Sequence, residues 1–267
     1  MPKYSPEVSA DLDDALASCV PSADLRPALT RALPQAVNAG ALPDVRLHQV
    51  ELTPGMWTGV DLWRERFAEL ERHAAITRGD VIDVFSDPTR SQTDRLVVSY
   101  VWGTGKNGYG PHRLNEILAS ETEKPLHAAA EALRNGADSD AIAAAGEAYR
   151  LLAGAIPGFG PAFYSKFLYF TDTAVGRGTA LILDAVLAAR MRDIAAGLGR
   201  ERGVVDADAT AEWLWRGPRW SRYRYETYLR YMHSTAARLG WPADLVELAM
   251  FCSGGDHWSR VVAATRE

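Results

Sequence analysis

Length, composition and charge already restrict this chain to an ordinary globular protein. It has 267 residues, of which 47% are hydrophobic and 24% charged, with a formal net charge of −5 at pH 7. This balance excludes a disordered or collagenous chain, and the length suffices for one large domain or two intimately packed lobes. No apolar run approaches the roughly 20 residues of a membrane-spanning helix, and residues 1–14 lack the apolar segment of a secretory signal.

Cysteine content and charge distribution narrow the class further. Cys19 and Cys252 are too few for a disulfide framework or a cysteine-rich metal site, so we expect a reducing, cytoplasmic environment. Residues 1–150 carry a net charge of −7, and residues 151–267 carry +2. A nucleic-acid partner should therefore meet the C-terminal half, although the acidic total argues against strong nonspecific binding through bulk charge.

Helical periodicity dominates the chain. In residues 61–70 the apolar side chains fall on one stripe and the charged ones lie elsewhere. Gly136 and Gly240 directly follow two predicted ends, as expected of helix termini. The same periodicity predicts further helices at about 8–18, 24–38, 113–119, 125–134, 139–153, 180–198, 207–215, 221–239 and 243–251.

Strand signals are few and short. Only residues 80–85 and 96–102 have a pattern typical of strands, and the proline-rich region before about residue 55 predicts short helices joined by turns. We find no internal repeat and no low-complexity tract. The predicted fold class is therefore mainly α, with at most a small β element.

Residues 146–171 carry the most information about function. An amphipathic helix runs into a Pro-Gly-Phe-Gly-Pro turn, and a second one starts at Pro161, a favoured first helical position. Two glycines one residue apart, Gly158 and Gly160, permit positive φ and the close approach of another backbone. The N–H groups of the turn and of the new helix lack intrahelical partners, so they favour an anion such as a nucleic-acid phosphate. A plain corner between two helices, closed by glycines, is the alternative.

This segment resembles the helix-hairpin-helix motif of the DNA-binding and DNA-glycosylase superfamily, in which an apolar residue and Pro-Gly-x-Gly precede an apolar helix. The resemblance implies a two-lobed helical bundle that contacts DNA through Gly158, Phe159 and Gly160. It also implies that carbonyl groups of residues 156–160 can hold a Na⁺ or K⁺ bridging to a phosphate. No redox cofactor is implied.

Two downstream residues resemble the catalytic positions of this superfamily. Its glycosylases place a catalytic Asp about 18 residues beyond the hairpin, at the start of an apolar helix. Here Asp184 follows Lys166, on the second hairpin helix, by 18 residues. Bifunctional members usually carry the Lys two positions after the second glycine, where this chain has Ala162. Lys166 lies one turn further along the same helical face. The small polar and His residues that usually follow the Asp are replaced by Ala185 and Val186.

The resemblance extends upstream. Residues 100–111, YVWGTGKNGYGP, look like a segment of bacterial proteins with an 8-oxoguanine DNA glycosylase fold, so the likeness covers about residues 95–200. It implies a glycosylase-like helical core over residues 96–267, on which an N-terminal helical region over residues 1–95 packs in one compact unit. The implied partner is double-stranded DNA with a damaged or modified base, with oxidised guanine as the leading substrate and no obligate protein partner.

The chemistry of base removal suits a carboxylate at Asp184. Breaking an N-glycosidic bond builds positive charge on the sugar, which a nearby carboxylate stabilises where water is excluded. At a helix N-terminus the ionised form of Asp184 is favoured, whereas a helix beginning at Thr179 would place Asp184 in its middle. The alternative is a structural salt bridge, for instance to Arg177 or Arg190, since an unpaired Asp is costly to bury.

Lys166 lies in an almost wholly apolar and aromatic run. Desolvation there would lower the pKa of its ammonium and leave more neutral amine, as attack on C1′ and a Schiff base require. If Lys166 attacks, the enzyme is a glycosylase with β-lyase activity; if it does not, a water activated near Asp184 makes it monofunctional. The alternative for Lys166 is a stem that packs on aromatic rings while the ammonium reaches solvent.

Aromatic residues are available for a base pocket. A base inside a duplex must be rotated out of the stack into a site made of aromatic faces and a few hydrogen-bonding groups. Trp102, Tyr109 and Phe163 are predicted to supply such faces, and the glycine-rich loop of residues 103–110, which begins at Gly103, can present backbone carbonyls to a base edge. A simple connecting turn is the alternative for this loop.

Residues 213–231 form the most basic stretch of the chain, with arginines interleaved among tryptophans and tyrosines. Arginine contacts to phosphates, combined with aromatic stacking, suit a DNA surface. The alternative is a helix whose tyrosines face the core while its arginines are simply solvated. The predicted DNA contacts are Arg216, Arg219, Arg222 and Arg224.

Other site classes have little support. The six histidines lack the spacing of a zinc site, and the glycine loops match neither a P-loop nor a dinucleotide-binding fingerprint. The leading hypothesis is thus a DNA glycosylase, possessing no metal site apart from the hairpin ion. A non-catalytic helix-hairpin-helix DNA-binding protein and a helical protein–protein module are the alternatives.

Overall fold

A computed structural model describes residues 6–18, 25–33, 42–71, 74–136, 140–217 and 220–253. Two short strands, β1 (Gln49–Glu51) and β2 (Ala75–Thr77), form an antiparallel pair in which Val50 faces Ile76. The helices are α1 (Pro6–Ser18), α2 (Arg26–Ala32), α3 (Asp61–Arg66), α4 (Ala68–Glu71), α5 (Arg78–Ser86), α6 (Gln92–Thr104), α7 (Gly110–Leu118), α8 (Glu123–Asn135), α9 (Ala141–Leu152), α10 (Pro161–Ala174), α11 (Ala185–Glu201), α12 (Ala207–Trp215), α13 (Arg222–Leu239) and α14 (Ala243–Cys252), with a 3₁₀ turn at Val45–Leu47.

The predicted fold class is confirmed: the described residues form 14 α-helices and one small two-stranded sheet. The two strand predictions at residues 80–85 and 96–102 are wrong, because these residues lie in α5 and α6. Both helices begin with a capping box, Thr77 with Asp80 and Ser91 with Asp94. Residues 96–102 are buried on every side, so no polar face reveals the helical period.

The chain divides into two compact units. One combines residues 1–43 with residues 183–267, and the other comprises residues 44–182. The boundary predicted from the sequence at residues 95/96 falls inside α6. The division into an N-terminal helical region over residues 1–95 and a glycosylase-like core over residues 96–267 stays a prediction.

In the unit of residues 44–182, α10 contacts α5, α6, α8 and α9. It is buried from Tyr164 to Asp172, which explains why its sequence is so apolar. The buried carboxylate of Asp172 accepts hydrogen bonds from the N–H groups of Thr179 and Ala180, at 2.6 and 2.9 Å. This pair of bonds fixes the turn by which the chain leaves the helix.

In the other unit, α11 packs against α1, α12 and α14, and α13 contacts α1 and α14. Apolar side chains such as Leu12, Met191 and Tyr225 fill its core. Among the described residues, no helix has the length and apolar content needed to cross a membrane.

Candidate active site

The predicted helix–turn–helix over residues 146–171 is confirmed, with α9 ending at Leu152 and α10 starting at Pro161. Gly158 has φ of +77°, a conformation that glycine adopts without the steric cost of a side chain. Gly160 is extended and caps α10, and Pro161 supplies the fixed φ of its first turn. The turn therefore has the shape that its glycines and prolines predict.

Several N–H groups of this hairpin are available to an anion. Within the described part of the chain, the N–H groups of Gly158, Gly160 and Ala162 make no hydrogen bond. The N–H of Phe159 differs, because it donates to the carbonyl of Ile156 at 3.2 Å. The Phe159 side chain is only 3% exposed and packs against Tyr164, so the hairpin presents backbone rather than this ring. Contact of Gly158, Phe159 and Gly160 with DNA stays a prediction.

Lys166 is buried, with 7% of its surface exposed. Its Nζ donates a hydrogen bond of 2.9 Å to the carbonyl of Ala162 and lies 5.8 Å from the ring centre of Phe163. Helical side chains lean toward the N-terminus, so the ammonium sits one turn before its own Cα. It thereby reaches the backbone of Ala162, the position at which the resemblance to helix-hairpin-helix glycosylases led us to expect a lysine.

Gly103 provides the room for this lysine. A Cβ built on Gly103 would lie 2.6 Å from Cδ and 3.0 Å from Cε of Lys166, closer than van der Waals contact allows. The same Cβ would lie 3.6 Å from the ring of Phe163. Tyr100 stacks on that ring with centroids 4.3 Å apart. The structure thus brings Lys166, Gly103 and Phe163 together, and adds Tyr100, which the sequence did not single out.

The other two pocket candidates lie in different surroundings. Trp102 is buried, and its ring meets those of His48 and Phe170 edge-on at 5.7 and 5.2 Å. Tyr109 is 56% exposed and its ring lies against His112. Roles for Trp102 and Tyr109 in base binding stay predictions.

Sequence reasoning also missed a buried cation beside Trp102. The Arg78 guanidinium lies 5.3 Å from the ring centre of Trp102 and 5.1 Å from that of Tyr169, and its Nε donates to His48 Nδ1 at 3.3 Å. Burial, followed by the charge of Arg78, lowers the pKa of His48 to about 3, so this imidazole is neutral at pH 7. Residues so far apart in sequence carry no local signal of their contact.

Asp184 is the N-cap of α11, which begins at Ala185 and not at Thr179. Its Oδ1 accepts hydrogen bonds from the N–H groups of Val186 and Leu187, at 3.0 and 3.1 Å. The placement at a helix N-terminus, one of the two alternatives from the sequence, is therefore confirmed. These bonds hold the carboxylate at the positive end of the helix dipole.

The two arginines considered as salt-bridge partners of Asp184 make other contacts. Arg177 donates to the carbonyls of Leu133 and Arg134, at 2.7 and 3.1 Å, and Arg190 donates to the carbonyl of Ser253. Lys166 belongs to the unit of residues 44–182, and Asp184 belongs to the other unit. The shared cleft expected for the two catalytic candidates stays a prediction.

The arginines of residues 213–231 fall into different environments. Arg224 is 9% exposed and donates to both carboxylate oxygens of Asp13, at 2.6 and 2.9 Å, so the structure favours the packing alternative for it. Arg222 lies 2.7 Å from a carboxylate oxygen of Glu226. Arg216 is exposed at the end of α12, and Arg219 lies outside the described residues.

Two kinds of group could hold a metal ion, acidic or His and Cys side chains and the carbonyls of the hairpin. In the described ranges, no group of three or more His, Cys, Asp or Glu residues lies close enough to hold a metal ion. In the hairpin, the carbonyls of Ile156 and Gly160 accept backbone hydrogen bonds. The carbonyls of residues 157–159 accept none from the described backbone outside helices, and a Na⁺ or K⁺ at the hairpin stays a prediction.

Comparisons with known proteins identify a family. No curated protein and no solved structure matches the chain. One family model, described as "OGG: Putative 8-oxoguanine DNA glycosylase OGG-like protein", matches residues 43–251, a range that contains the hairpin, Lys166 and Asp184. Because this match covers most of its length, the chain belongs to the OGG family of 8-oxoguanine DNA glycosylase-like proteins.

Proposed function

We propose that the protein is a DNA N-glycosylase that removes oxidised guanine from double-stranded DNA. The observation that carries this proposal is the placement of Lys166. Its ammonium lies at the carbonyl of Ala162, directly after the hairpin, in a chain that belongs to this family. A buried amine one turn from an anion-binding hairpin is an arrangement suited to chemistry on a sugar next to a phosphate.

DNA binding begins with the hairpin in this proposal. The N–H groups of Gly158, Gly160 and Ala162 donate to a backbone phosphate, with the dipole of α10 aligned behind them. A Na⁺ or K⁺ held by carbonyls of residues 157–159 would supply further positive charge for that phosphate. Exposed Arg216 adds a contact elsewhere along the backbone.

The target base leaves the stack and enters a site beside Lys166. The ring of Phe163 and the small residue Gly103 flank the lysine stem, so they form one wall of this site. A flipped base stacks on an aromatic face and uses its polar edge for hydrogen bonds. Phe163, already stacked on Tyr100, supplies a rigid face for that purpose.

The bond between base and sugar then breaks with help from both candidates. Asp184, oriented by two N–H donors, stabilises positive charge at C1′ as that charge develops. In the bifunctional branch, the neutral Nζ of Lys166 forms a bond to C1′ while the C1′–N9 bond breaks, and the departing base takes the electron pair and a proton. The C1′–O4′ bond then breaks, so that the nitrogen forms an iminium with C1′ while O4′ keeps the electron pair and takes a proton from water. Water removes a proton from C2′, and its electron pair expels the 3′ phosphate by cleavage of the C3′–O bond.

In the monofunctional branch, water instead of Lys166 adds to C1′. The two branches differ in their products: strand cleavage without alkali requires the lyase, whereas an intact abasic strand requires only the glycosylase. Family membership supports base release, and the lyase step rests on the geometry of Lys166 alone.

The test is incubation with a duplex that contains a single 8-oxoguanine. We expect base release by the wild type, a borohydride-trapped covalent adduct if Lys166 attacks, and no adduct with Lys166→Gln. Asp184→Asn should lower the rate of base release by about 10²–10³-fold, the range found when one electrostatic contact to a developing charge is lost. Since Asn is also a good N-cap, its fold should persist.

Lys124→Gln is the matched control, because Lys124 lies in the same unit, outside the candidate site, at an exposed position. It should excise and cross-link like the wild type. The proposal would be overturned if both the wild type and Asp184→Asn bound lesion-bearing duplexes without releasing a base. That result would establish the non-catalytic binder, which the replacement of the usual lysine by Ala162 favours.

A further inference from the structure

The α6–α7 loop, residues 105–109, displays an aromatic ring to solvent. At 56%, Tyr109 is the most exposed Phe, Tyr or Trp of the described residues, and the whole tip of the loop, residues 106–109, is exposed. Exposure alone says little about function, because single apolar side chains are common on protein surfaces. Two further features set this ring apart: its rigid support and its place beside the candidate active site.

The backbone of Tyr109 is fixed on both sides. Its N–H donates to Oδ1 of Asn107 at 3.2 Å, and its carbonyl accepts from the N–H of Arg113 at 3.2 Å. The next residue packs so closely that a Cβ on Gly110 would overlap Cγ2 of Thr104. The start of α7 is therefore pressed against the end of α6. A ring on such a support loses little conformational freedom when it binds, so binding costs less entropy.

The ring is accompanied by positive charge. The Arg113 guanidinium lies 5.5 Å from the ring centre of Tyr109, and the His112 ring meets it edge-on at 5.1 Å. Glu116, an acidic residue of the same helix, lies 3.5 Å from Nε2 of His112 and forms no ion pair with Arg113 among the described residues. An aromatic face beside an exposed guanidinium suits a nucleic-acid base next to its phosphate.

A path of contacts joins this ring to the candidate active site. Burial raises the pKa of Tyr100, and the nearby charge of Arg113 acts in the opposite direction, so the guanidinium faces this phenol as well as the ring of Tyr109. Tyr100 stacks on Phe163 at 4.3 Å, and the ring centre of Phe163 lies 5.8 Å from Nζ of Lys166. Tyr109 therefore lies at the exposed rim of the site, and the buried rings form its wall.

We propose that Tyr109 enters the DNA stack at the step from which the target base is flipped, while Arg113 pairs with an adjacent phosphate. Rotation of a base out of a duplex leaves its neighbours without a stacking partner, and a side chain can fill that gap. The sequence predicts a base-pocket role for Tyr109, but a ring more than half exposed at the rim is better placed to meet the duplex than to enclose the flipped base. This inference rests on the proposed function, since it takes the flipped base to lie beside Lys166.

The first test measures stacking without any chemistry. The full chain is titrated into a duplex that contains a tetrahydrofuran abasic-site analogue with 2-aminopurine as the neighbouring base, and into the same duplex without the gap. Wild type should bind the gapped duplex more tightly and quench the 2-aminopurine. Tyr109→Ala should lose about tenfold in affinity for the gapped duplex, bind the intact duplex normally and leave the fluorescence bright, whereas Tyr109→Phe should behave like the wild type.

Controls separate stacking from folding and from charge. Val175→Ala shortens another exposed apolar side chain of the same unit, at 52% exposure, and should not change either affinity. Arg113→Gln should weaken binding of both duplexes and reduce the slope of log Kd against log salt by about one, because phosphates are present in both. Circular dichroism and Tm should remain those of the wild type in Tyr109→Ala, since the ring is exposed.

Base release from a duplex with 8-oxoguanine opposite cytosine is the second measurement. Tyr109→Ala should slow it by about 10- to 100-fold, and by less when the lesion lies in a one-nucleotide bulge, where it has no pairing partner. If Tyr109→Ala matched the wild type on the gapped duplex, or lost equal affinity for gapped and intact duplexes, the assignment would be wrong. Failure of the glycosylase proposal is seen separately, as a wild type that releases no base from either substrate, and the gapped duplex still decides the role of Tyr109.

Discussion

The sequence offers two regions for DNA contact, the hairpin with α10 and the arginine-rich segment of residues 213–231. In the structure, the charged residues of these two regions have different kinds of contact partner. In α10 the chemical group of interest, Lys166, contacts a backbone carbonyl only four residues away. In the second region Arg224 contacts Asp13, more than 200 residues away. The spacing of a local motif survives folding, whereas the availability of a charge depends on partners that no local pattern reveals.

The largest expected effect tests the structural role assigned to Arg224. Arg224→Ala should lower the free energy of unfolding by about 3–5 kcal/mol, because it leaves the carboxylate of Asp13 buried without its cation. Urea unfolding at pH 7 measures the change.

Arg230→Ala is the control for this prediction, since Arg230 lies on the same helix and its ion pair with Glu226 is solvent-exposed on the arginine side. It should cost less than about 1 kcal/mol. If both variants lost the same stability, the contrast between buried and surface arginines in this segment would disappear.

The next effect tests the site around α10. Gly103→Ala places a methyl group 2.6 Å from Cδ of Lys166, so the lysine must move. Displacement of a reacting group by about 1 Å costs on the order of 10²-fold in rate, and we expect that loss in single-turnover base release. Gly59→Ala is the matched control, because Gly59 lies in the same unit outside the candidate site and a Cβ there meets nothing within 4 Å. Full activity in Gly103→Ala would show that the position of this lysine does not matter.

Much of the fold was predictable because its signals are local. Pro161, the paired glycines and the apolar period predict α9, the hairpin and α10 within a few residues. Parts of helices α5 and α6 were mistaken for strands, and in α6 burial on all sides removes the alternation between polar and apolar faces. The contact of Gly103 with Lys166 and the stacking of Tyr100 on Phe163 join α6 to α10, so they arise only from tertiary packing.

A third prediction concerns His48, whose contact with Arg78 also joins residues that are distant in the sequence. Its pKa is about 3 in the folded chain and about 6.5 when unfolded, so the unfolded state binds the extra proton. Stability from this group is complete above pH 6.5 and is lost as the pH falls toward 3. Between pH 7 and pH 5 the loss is about 2 kcal/mol, at 1.36 kcal/mol per pH unit below 6.5.

Urea unfolding of the wild type and His48→Gln over this pH range isolates the effect. Gln keeps an oxygen acceptor for Nε of Arg78 but does not titrate, so its stability should depend less on pH by that amount. Identical pH dependence in the two proteins would mean that folding does not shift the pKa of His48, which would contradict the prediction.

The smallest expected effect returns to the arginine-rich segment, and it asks whether an exposed arginine there contacts DNA. Arg216→Gln should weaken binding of a lesion duplex by several-fold and reduce the slope of log Kd against log salt by about one, since one phosphate contact is lost. Arg202→Gln, at an exposed position in the same unit, is the control for a change in net charge. A general loss of charge would weaken both variants alike, whereas a specific phosphate contact affects Arg216 alone. Stability should not change in either variant, whereas it should fall in Arg224→Ala, because Arg224 holds α13 to α1 through Asp13.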